Sequence, residues 1–243
     1  MSKVRTMRAF PLGHENKYAE IFGERDAVHD LVKNMGTFVV TGPCELPLSV
    51  SGEAVNFQTY DFVFNGRSGT RDWERVYQVA VLGDIKDRGD VLARIDSHCS
   101  WGQVWGSRYC DCGWQLANAK KQVATEGSGI IIHGVSQEGA NMGYGGHLQL
   151  YLAYQMLGMD RAEAGKRVSG DVDPRSFGDA AQILRYLGVK GVKLITNNPQ
   201  KIADLQEGGL KVTRVPSIIP KEERSDRVSA LIAEKKASMG HMY

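Results

Sequence analysis

The sequence predicts a mixed α/β fold, in which a mostly β N-terminal part is followed by alternating strands and helices around a mixed sheet. Three observations indicate this fold. From Thr37 to Arg94, apolar runs are separated by Gly and Asp, which is typical of antiparallel strands. After Cys112 the hydrophobic period lengthens to that of a helix. Between the helical segments lie short apolar runs, such as residues 130–132, which are typical of buried strands.

The N-terminal half supplies the first predicted strands. The run that begins at Phe57 alternates apolar and polar residues, as a half-buried strand does. Glycine-containing pairs at 65–66, 83–84 and 89–90 predict hairpin turns between the strands. The predicted strands begin at Thr37, Phe57, Val76 and Val91.

The second half predicts helices and strands in alternation. Leu116, Ala119 and Val123 fall on one helical face, and Gly127 ends that helix. A possible helix also precedes the first strand, at residues 24–33. Further helices are predicted near residues 148–158, 177–188, 199–205 and 221–237, and further strands at 130–132, 192–196 and 211–215.

Length and composition indicate a globular protein. The 243 residues are enough to bury a core, and 42% hydrophobic with 24% charged residues is ordinary. A net charge of +2 gives no overall attraction to nucleic acid or to an anionic membrane. No apolar run approaches the roughly 20 residues of a membrane span, and no signal-peptide pattern follows the basic N-terminus. We therefore expect a cytoplasmic protein, with residues 1–36 as an N-terminal extension and 37–243 as one domain.

Three of the four cysteines, Cys99, Cys110 and Cys112, lie close together in the sequence. Structural zinc usually has four protein ligands, whereas catalytic zinc has three and keeps a position open for water. The three thiols therefore favour zinc as a Lewis acid and water activator. The alternative is a structural zinc with His98 or His133 as its fourth ligand.

Six motifs extend in order from about Leu82 to the C-terminal residues. They are VLARIDSHC at 91–99, CDCGWQL at 110–116, SQEGANMG at 136–143, DPR at 173–175, TNNPQK at 196–201 and MGH at 239–241. In this order and spacing the sequence resembles the GTP cyclohydrolase II family. The resemblance implies an enzyme of riboflavin biosynthesis that removes C8 of GTP as formate with zinc and releases pyrophosphate with magnesium. It also implies a homodimer. The stretch before the motifs is too short for the second enzymatic domain that some members carry, so we expect one activity.

The resemblance implies a role for individual residues. It makes three residues zinc ligands, three catalytic and the rest nucleotide-binding. These are Cys99, Cys110 and Cys112 for zinc; Asp173, Arg175 and Tyr151 for catalysis; and Arg94 with its neighbours 95–98, Gln115, Glu138, Gly139, Thr196 and Lys201 for the nucleotide.

The chemistry of these residue types suits those roles. Arg94 and Lys201 carry charges that neutralise phosphates, and the Glu138 carboxylate could accept two hydrogen bonds from a guanine edge. In the DPR motif, a carboxylate can take a proton from water and an arginine can clamp a phosphoryl group.

Three parts of the predicted site also have a simpler interpretation. An isolated Asp-x-Arg is often a helix N-terminal aspartate with a solvated arginine. Tyr151 could be a core aromatic, and counting back from Asp173 puts Leu152 in its place. Thr196 and the two asparagines could form a turn that caps a helix at Pro199.

Departures from the family pattern fall in the predicted site. Tyr109 stands where the family has arginine, Gln103 where it has aspartate, and His98 where it has glutamate, while Ser136 and Ala140 replace two arginines. Each lost charge-assisted hydrogen bond is worth about 1.5–3 kcal/mol. Three hypotheses follow, in order: a zinc-dependent GTP cyclohydrolase; a hydrolase of the same family with another nucleotide substrate or a partial reaction; and a non-catalytic zinc- or nucleotide-binding protein.

Overall fold

The computed structural model describes residues 32–34, 38–64 and 75–243. In this part of the chain the strands are β1 (Val32–Asn34), β2 (Phe38–Val50), β3 (Glu53–Phe64), β4 (Arg75–Leu82), β5 (Val91–Ser97), β6 (Gly129–Gly134), β7 (Gly191–Ile195) and β8 (Lys211–Val215). The α-helices are α1 (Cys112–Glu126), α2 (Glu138–Asn141), α3 (Gly143–Leu157), α4 (Arg161–Ser169), α5 (Gly178–Tyr186), α6 (Pro199–Glu207) and α7 (Asp226–Met239). The predicted mixed α/β fold is confirmed.

The described strands form one sheet in the order β1-β2-β3-β4-β6-β5-β7-β8. The first four pair antiparallel with their neighbours in sequence, and β4 pairs antiparallel with β6. Strands β5, β6, β7 and β8 are parallel. The strand order reverses around β5, which lies between β6 and β7. Ligands of open α/β sheets bind outside the carboxyl ends of the strands at such a reversal.

The predicted hairpin turns at 83–84 and 89–90 are wrong, because β6 lies between β4 and β5 in the sheet. The pair at 65–66 lies outside the described residues. A two-residue hairpin occurs instead between β2 and β3, where Ser51 and Gly52 have φ of 52° and 89°. Positive φ at both positions is the geometry that matches the twist of the flanking strands.

Most predicted helices are confirmed. Helix α1 ends at Gly127, which has a φ of 72°. Helix α7 begins later than predicted, after Ser225, whose side chain caps it. Helices α2 and α4 were not predicted. Of the possible helix at 24–33, residues 24–31 lie outside the described part of the chain, and the prediction is wrong for 32–33, which belong to β1. No helix in the described ranges has the length and apolar character needed to cross a membrane.

Helices cover both faces of the sheet, so the central strands are apolar on both sides. Ile130 and Ile132 of β6 pack into a large core beneath α5 and α6. Ile131 faces the opposite side and packs against Val123 of α1. This double coverage explains the continuous isoleucine run, and it holds β5 and its carboxyl end firmly in the middle of the molecule.

Candidate active site

A cavity lies at the carboxyl ends of β5 and β7, where the strand order reverses. Its wall combines residues from β5, the segment after β7, and helices α1, α3, α4, α6 and α7. Most of the predicted site residues line it: Arg94, Cys99, Cys110, Cys112, Gln115, Gly139, Tyr151, Arg175, Thr196 and Lys201. Asp173 and Glu138 lie behind this wall.

The three predicted zinc ligands meet at one end of the cavity. The sulfur atoms of Cys99, Cys110 and Cys112 all lie within 4.8 Å of one another, and those of Cys99 and Cys110 are 3.6 Å apart. A tetrahedral zinc with Zn–S bonds of about 2.3 Å separates its sulfurs by about 3.8 Å, so the thiols fit this metal. In the described residues, the group able to hold a metal contains these cysteines and neither His98 nor His133. The arrangement therefore favours three protein ligands.

Glycine makes this approach of the thiols possible. Residues Ser100–Val104 form one π-helical turn after Cys99, and the Gly102 amide donates to the Cys99 sulfur at 3.4 Å. A Cβ at Gly102 would lie 2.8 Å from the Cys110 sulfur, so no larger residue fits without moving a ligand. On the other side, a Cβ at Gly113 would lie 2.4 Å from the Gly102 carbonyl oxygen. The two glycines thus set the geometry of the thiol cluster.

Asp173 and Arg175 form a bidentate ion pair in the loop before α5. The Arg175 Nε donates to one carboxylate oxygen at 2.7 Å and its second nitrogen donates to the other at 2.5 Å. A further guanidinium nitrogen donates to Ser97 Oγ at 3.2 Å. Burial raises the pKa of Asp173, but the Arg175 charge and hydrogen bonds outweigh it and hold that pKa below its usual range. Since the pair is mostly buried and starts no helix, the interpretation as a capping aspartate with a solvated arginine is wrong.

Tyr151 points from α3 into the cavity, whereas the neighbouring Leu152 is 45% exposed on the outside. The residue of this pair that can act in the site is therefore Tyr151. Its hydroxyl lies 3.1 Å from His147 Nε2, one helical turn earlier. Burial raises the pKa of the Tyr151 phenol, so it is neutral at physiological pH.

Two predicted phosphate-binding side chains are buried beside the carboxyl end of β5. Arg94 donates to Gln115 Oε1 at 2.5 Å and to Asp96 Oδ1 at 3.2 Å, while its Nε is buried without a partner among the described residues. Lys201 Nζ donates to the Ile95 carbonyl at 2.8 Å. Burial lowers the pKa of Lys201, and the charge of Arg94 lowers it further. An anion bound here would relieve that repulsion, so the wall is suited to phosphate.

Thr196 and Asn198 shape the start of α6. The Thr196 hydroxyl accepts from the Asn198 amide at 3.1 Å, and Asn198 Oδ1 accepts from the Gln200 amide at 2.9 Å. The asparagine therefore caps the helix, as the simpler interpretation expected. Thr196 is buried and also lines the cavity, so both interpretations describe part of this turn.

Both oxygens of the Glu138 carboxylate accept hydrogen bonds from protein groups, so the carboxylate does not face a ligand. One oxygen accepts from the Ser100 amide at 2.9 Å, and the other accepts from the Ser100 hydroxyl at 2.8 Å and from His147 Nδ1 at 2.5 Å. Gly139, with a φ of 59°, carries the chain past it and faces the cavity. In this structure the backbone of Gly139, not the carboxylate of Glu138, is placed to meet a ligand.

A partly buried chain of polar groups beside the cysteines is not predicted by the sequence. Asp96 Oδ2 accepts from Gln103 Nε2 at 2.6 Å and from His133 Nδ1 at 2.9 Å. His133 Nε2 in turn lies 3.0 Å from His98 Nδ1. The one indication of this chain in the sequence is that His98 and Gln103 stand at positions where the family that the sequence resembles has acidic residues.

His241 was also missed as a site residue, although its MGH motif was recognised. Its imidazole lines the cavity and is only 9% exposed, and neither ring nitrogen has a partner among the described residues. Burial lowers its pKa to about 3, and the charges of Lys235, Arg175 and Lys201 act in the same direction. The ring is therefore neutral and offers one donor and one acceptor to a ligand.

Comparison with known proteins finds one matching family and several relatives. The family model described as GTP cyclohydrolase II matches residues 43–216. The bifunctional riboflavin biosynthesis protein RIBA 1, chloroplastic, of Arabidopsis thaliana is 40% identical over 166 residues, which cover 67% of this chain and 30% of that protein. The riboflavin biosynthesis protein RibBA of Endomicrobium trichonymphae is 40% identical over 163 residues, 67% of this chain and 39% of that protein. GTP cyclohydrolase-2 of Archaeoglobus fulgidus is 41% identical over 165 residues, 68% of this chain and 42% of that protein. The matched region thus spans less than half the length of each of these relatives.

Proposed function

The chain belongs to the GTP cyclohydrolase II family, and from this premise we propose that it is a zinc-dependent cyclohydrolase that opens the imidazole ring of GTP. The products are formate, pyrophosphate and a diaminopyrimidinone ribosyl phosphate, an early intermediate of riboflavin biosynthesis. One observation carries the proposal: three thiols spaced for zinc, the buried Arg175 and the cations Arg94 and Lys201 open into the same cavity.

The thiol cluster supplies the place for the metal. Cys99, Cys110 and Cys112 would hold zinc, and the Gly102 amide, which donates to Cys99, would stabilise the thiolate charge. When bound, zinc supplies a Lewis acid and lowers the pKa of water to near neutrality. Three thiols that must stay reduced suit a cytoplasmic compartment, which we include in the proposal.

The cations of the cavity bind the phosphates. Arg94 and Lys201 lie on the strand side, and Arg161, Arg175 and Lys235 line the other walls. The guanidinium of Arg175 is held rigid by Asp173 along one edge, which prepares it to clamp a phosphoryl group. Magnesium would enter with the phosphates, because it keeps much of its water and commonly binds to substrate phosphate oxygens.

Asp173 and Tyr151 are the proposed acid–base and positioning groups. The low pKa of Asp173 keeps it a carboxylate, the form that a general base needs. In this structure Arg175 stands between it and the cavity, so a proton would reach Asp173 through water or after a movement of the arginine. Tyr151 faces the cavity directly and can hydrogen-bond to the reacting nucleotide.

The second candidate is a hydrolase of the same family with another nucleotide or a partial reaction. The observation that favours it is the wall beside the thiols, where Tyr109 packs 5.0 Å from Tyr151 between ring centroids and Ala140 offers no charge. An aromatic, uncharged wall is suited to a base or sugar better than to a phosphate.

The test is an incubation of zinc-loaded protein with GTP and a panel of other nucleotides, in which formate, pyrophosphate and product mass are followed. Formation of all three products from GTP is the expected result. Turnover of another nucleotide but not of GTP would favour the second candidate described above. No turnover of any nucleotide would favour a non-catalytic binding protein. Cys110→Ser is the control, since it should abolish zinc binding and turnover while circular dichroism shows the fold intact.

We also propose that the protein is a homodimer. An apolar stripe runs along the outer face of α3, where Tyr144, Leu148, Leu152 and Met156 recur every fourth residue and are 45–75% exposed. Trp105, which is 74% exposed, lies beside it. A stripe of this kind is unusual on a monomer. Light scattering after gel filtration should show a dimer, and Leu148→Glu should convert it to a monomer. A monomeric wild-type protein would contradict the proposal.

A further inference from the structure

We propose that His147 is a positioning residue that fixes the direction of the Tyr151 hydroxyl, and that Glu138 fixes the tautomer of His147. The consequence for the site is specific: Tyr151 meets the ligand as a hydrogen-bond acceptor, facing an N–H or O–H group of a nucleotide or a water. The link to turnover rests on the proposed function, but the hydrogen-bond geometry does not.

Glu138 is held as the anchor of this triad. The Ser100 amide and hydroxyl donate to its two oxygens, and it is 2% exposed. Burial raises the pKa of Glu138, but the hydrogen bonds from His147 and Ser100 outweigh it and keep the group a carboxylate. A carboxylate is acceptor-only, so the 2.5 Å contact with His147 Nδ1 requires the hydrogen to lie on that nitrogen.

The tautomer then decides the direction of the next bond. A neutral imidazole protonated at Nδ1 has a lone pair at Nε2. The proposal includes this neutral form of His147, in which the Tyr151 hydroxyl, 3.1 Å away, donates to Nε2. The hydroxyl hydrogen of Tyr151 then bonds within the protein, and the oxygen can accept a hydrogen bond from a ligand in the cavity.

The backbone holds the ring in this place. His147 and Tyr151 are four residues apart on α3, so they share one helical face. A Cβ at Gly139 would lie 2.6 Å from the Cβ of His147, which shows how tightly the loop packs against the histidine. The ring of His147 also contacts the Tyr151 ring, with centroids 4.8 Å apart. Packing on these sides leaves the imidazole little freedom to turn away.

The first test reads the tautomer and needs no turnover. Nitrogen-15 NMR of histidine-labelled, zinc-loaded protein at pH 7.5 should show His147 protonated at Nδ1, with that proton far downfield, and the spectrum of His147→Asn assigns the signal. In Glu138→Gln the amide donates to Nδ1, so the hydrogen should move to Nε2. A wild-type His147 protonated at Nε2, or at both nitrogens, would overturn the proposal whatever the substrate proves to be.

The second test is a double-mutant cycle with GTP turnover. His147→Phe and Tyr151→Phe should each lower kcat by about 100-fold with little change in KM, and the double variant should be no slower than the slower single variant. Losses that multiply would show that His147 acts independently of Tyr151 and would refute the proposal. Tyr186→Phe, which removes a phenol in the core around Phe38 and Phe62, is the matched control. If wild-type protein leaves GTP unchanged, the proposed function fails and the NMR result alone decides this inference.

Discussion

The substitution His241→Asn should flatten the dependence of stability on pH. Burial lowers the pKa of His241 from its ordinary value of 6.5 to about 3. Below pH 6.5 the unfolded chain therefore binds a proton at this residue, whereas the folded protein does not until the pH approaches 3. The contribution of His241 to the free energy of unfolding is complete above pH 6.5 and is lost as the pH falls towards 3. Between pH 7.5 and 5 the loss amounts to about 2 kcal/mol.

Urea unfolding followed by tryptophan fluorescence measures this effect directly. The free energy of unfolding of wild-type protein should fall by about 2 kcal/mol more than that of His241→Asn between pH 7.5 and 5. Any acid release of zinc affects both proteins alike and cancels in the difference. Between pH 7.5 and 8.5 the two should change in parallel, which is the internal control. Equal losses in both proteins below pH 7.5 would refute the claim that the imidazole is buried as a neutral, unpartnered ring.

Three further substitutions test the site. Gly102→Ala places a methyl group 2.8 Å from the Cys110 sulfur, and competition with a chelator should show zinc bound at least ~10-fold more weakly while circular dichroism is unchanged. Arg175→Lys loses the bidentate contact with Asp173 and should lower kcat/KM for GTP by roughly 10–100-fold, whereas an unaltered value would place the phosphates elsewhere. Lys201→Met should raise the Kd for GTP by about 10-fold in calorimetry, and unchanged affinity would exclude this buried lysine from the phosphate site.

Periodicity in the sequence was enough to predict most elements, but not their pairing. The isoleucine run of β6 can be predicted because the strand is buried, and the strand 211–215 can be predicted because exposed and half-buried residues mostly alternate along it. The placement of β6 between β4 and β5 is not, because it depends on a crossover through α1. Periodicity does not predict helix α4, because the helix is short and mostly polar. Its start is set by a capping box between Asp160 and Glu163.

The site divides in the same way. The thiols of Cys99, Cys110 and Cys112 are close in sequence, so their convergence could be predicted from spacing. The contact of Lys201 with the Ile95 carbonyl joins residues 106 positions apart, and only the fold brings them together. For Glu138, sequence chemistry predicted a guanine edge as the partner, whereas tertiary packing places His147 and Ser100 against the carboxylate.

Ser136 and Ala140 both replace arginines of the family pattern, but the two replacements differ in their effect on the cavity. The Ser136 hydroxyl accepts from the Val76 amide at 3.2 Å and lies away from the cavity, whereas Ala140 lines it. Only the second loss therefore removes a charge that a ligand would meet. Ala140 has a φ of 60°, a conformation that arginine adopts no less readily than alanine, so the charge can be restored without new backbone strain.

Restoring each arginine separately tells the two leading hypotheses apart. If the cavity once held the full triphosphate and has drifted towards another ligand, Ala140→Arg should raise kcat/KM for GTP by about 10-fold, the value of one charge-assisted hydrogen bond. Ser136→Arg is the matched control and should leave GTP turnover unchanged, because position 136 does not face the cavity. Equal gains from both substitutions would mean that general positive charge, and not a contact at position 140, limits GTP binding. No gain from Ala140→Arg would mean that the remaining cations Arg94, Arg175 and Lys201 already hold the phosphates fully, and the altered wall would then act on the base or the sugar.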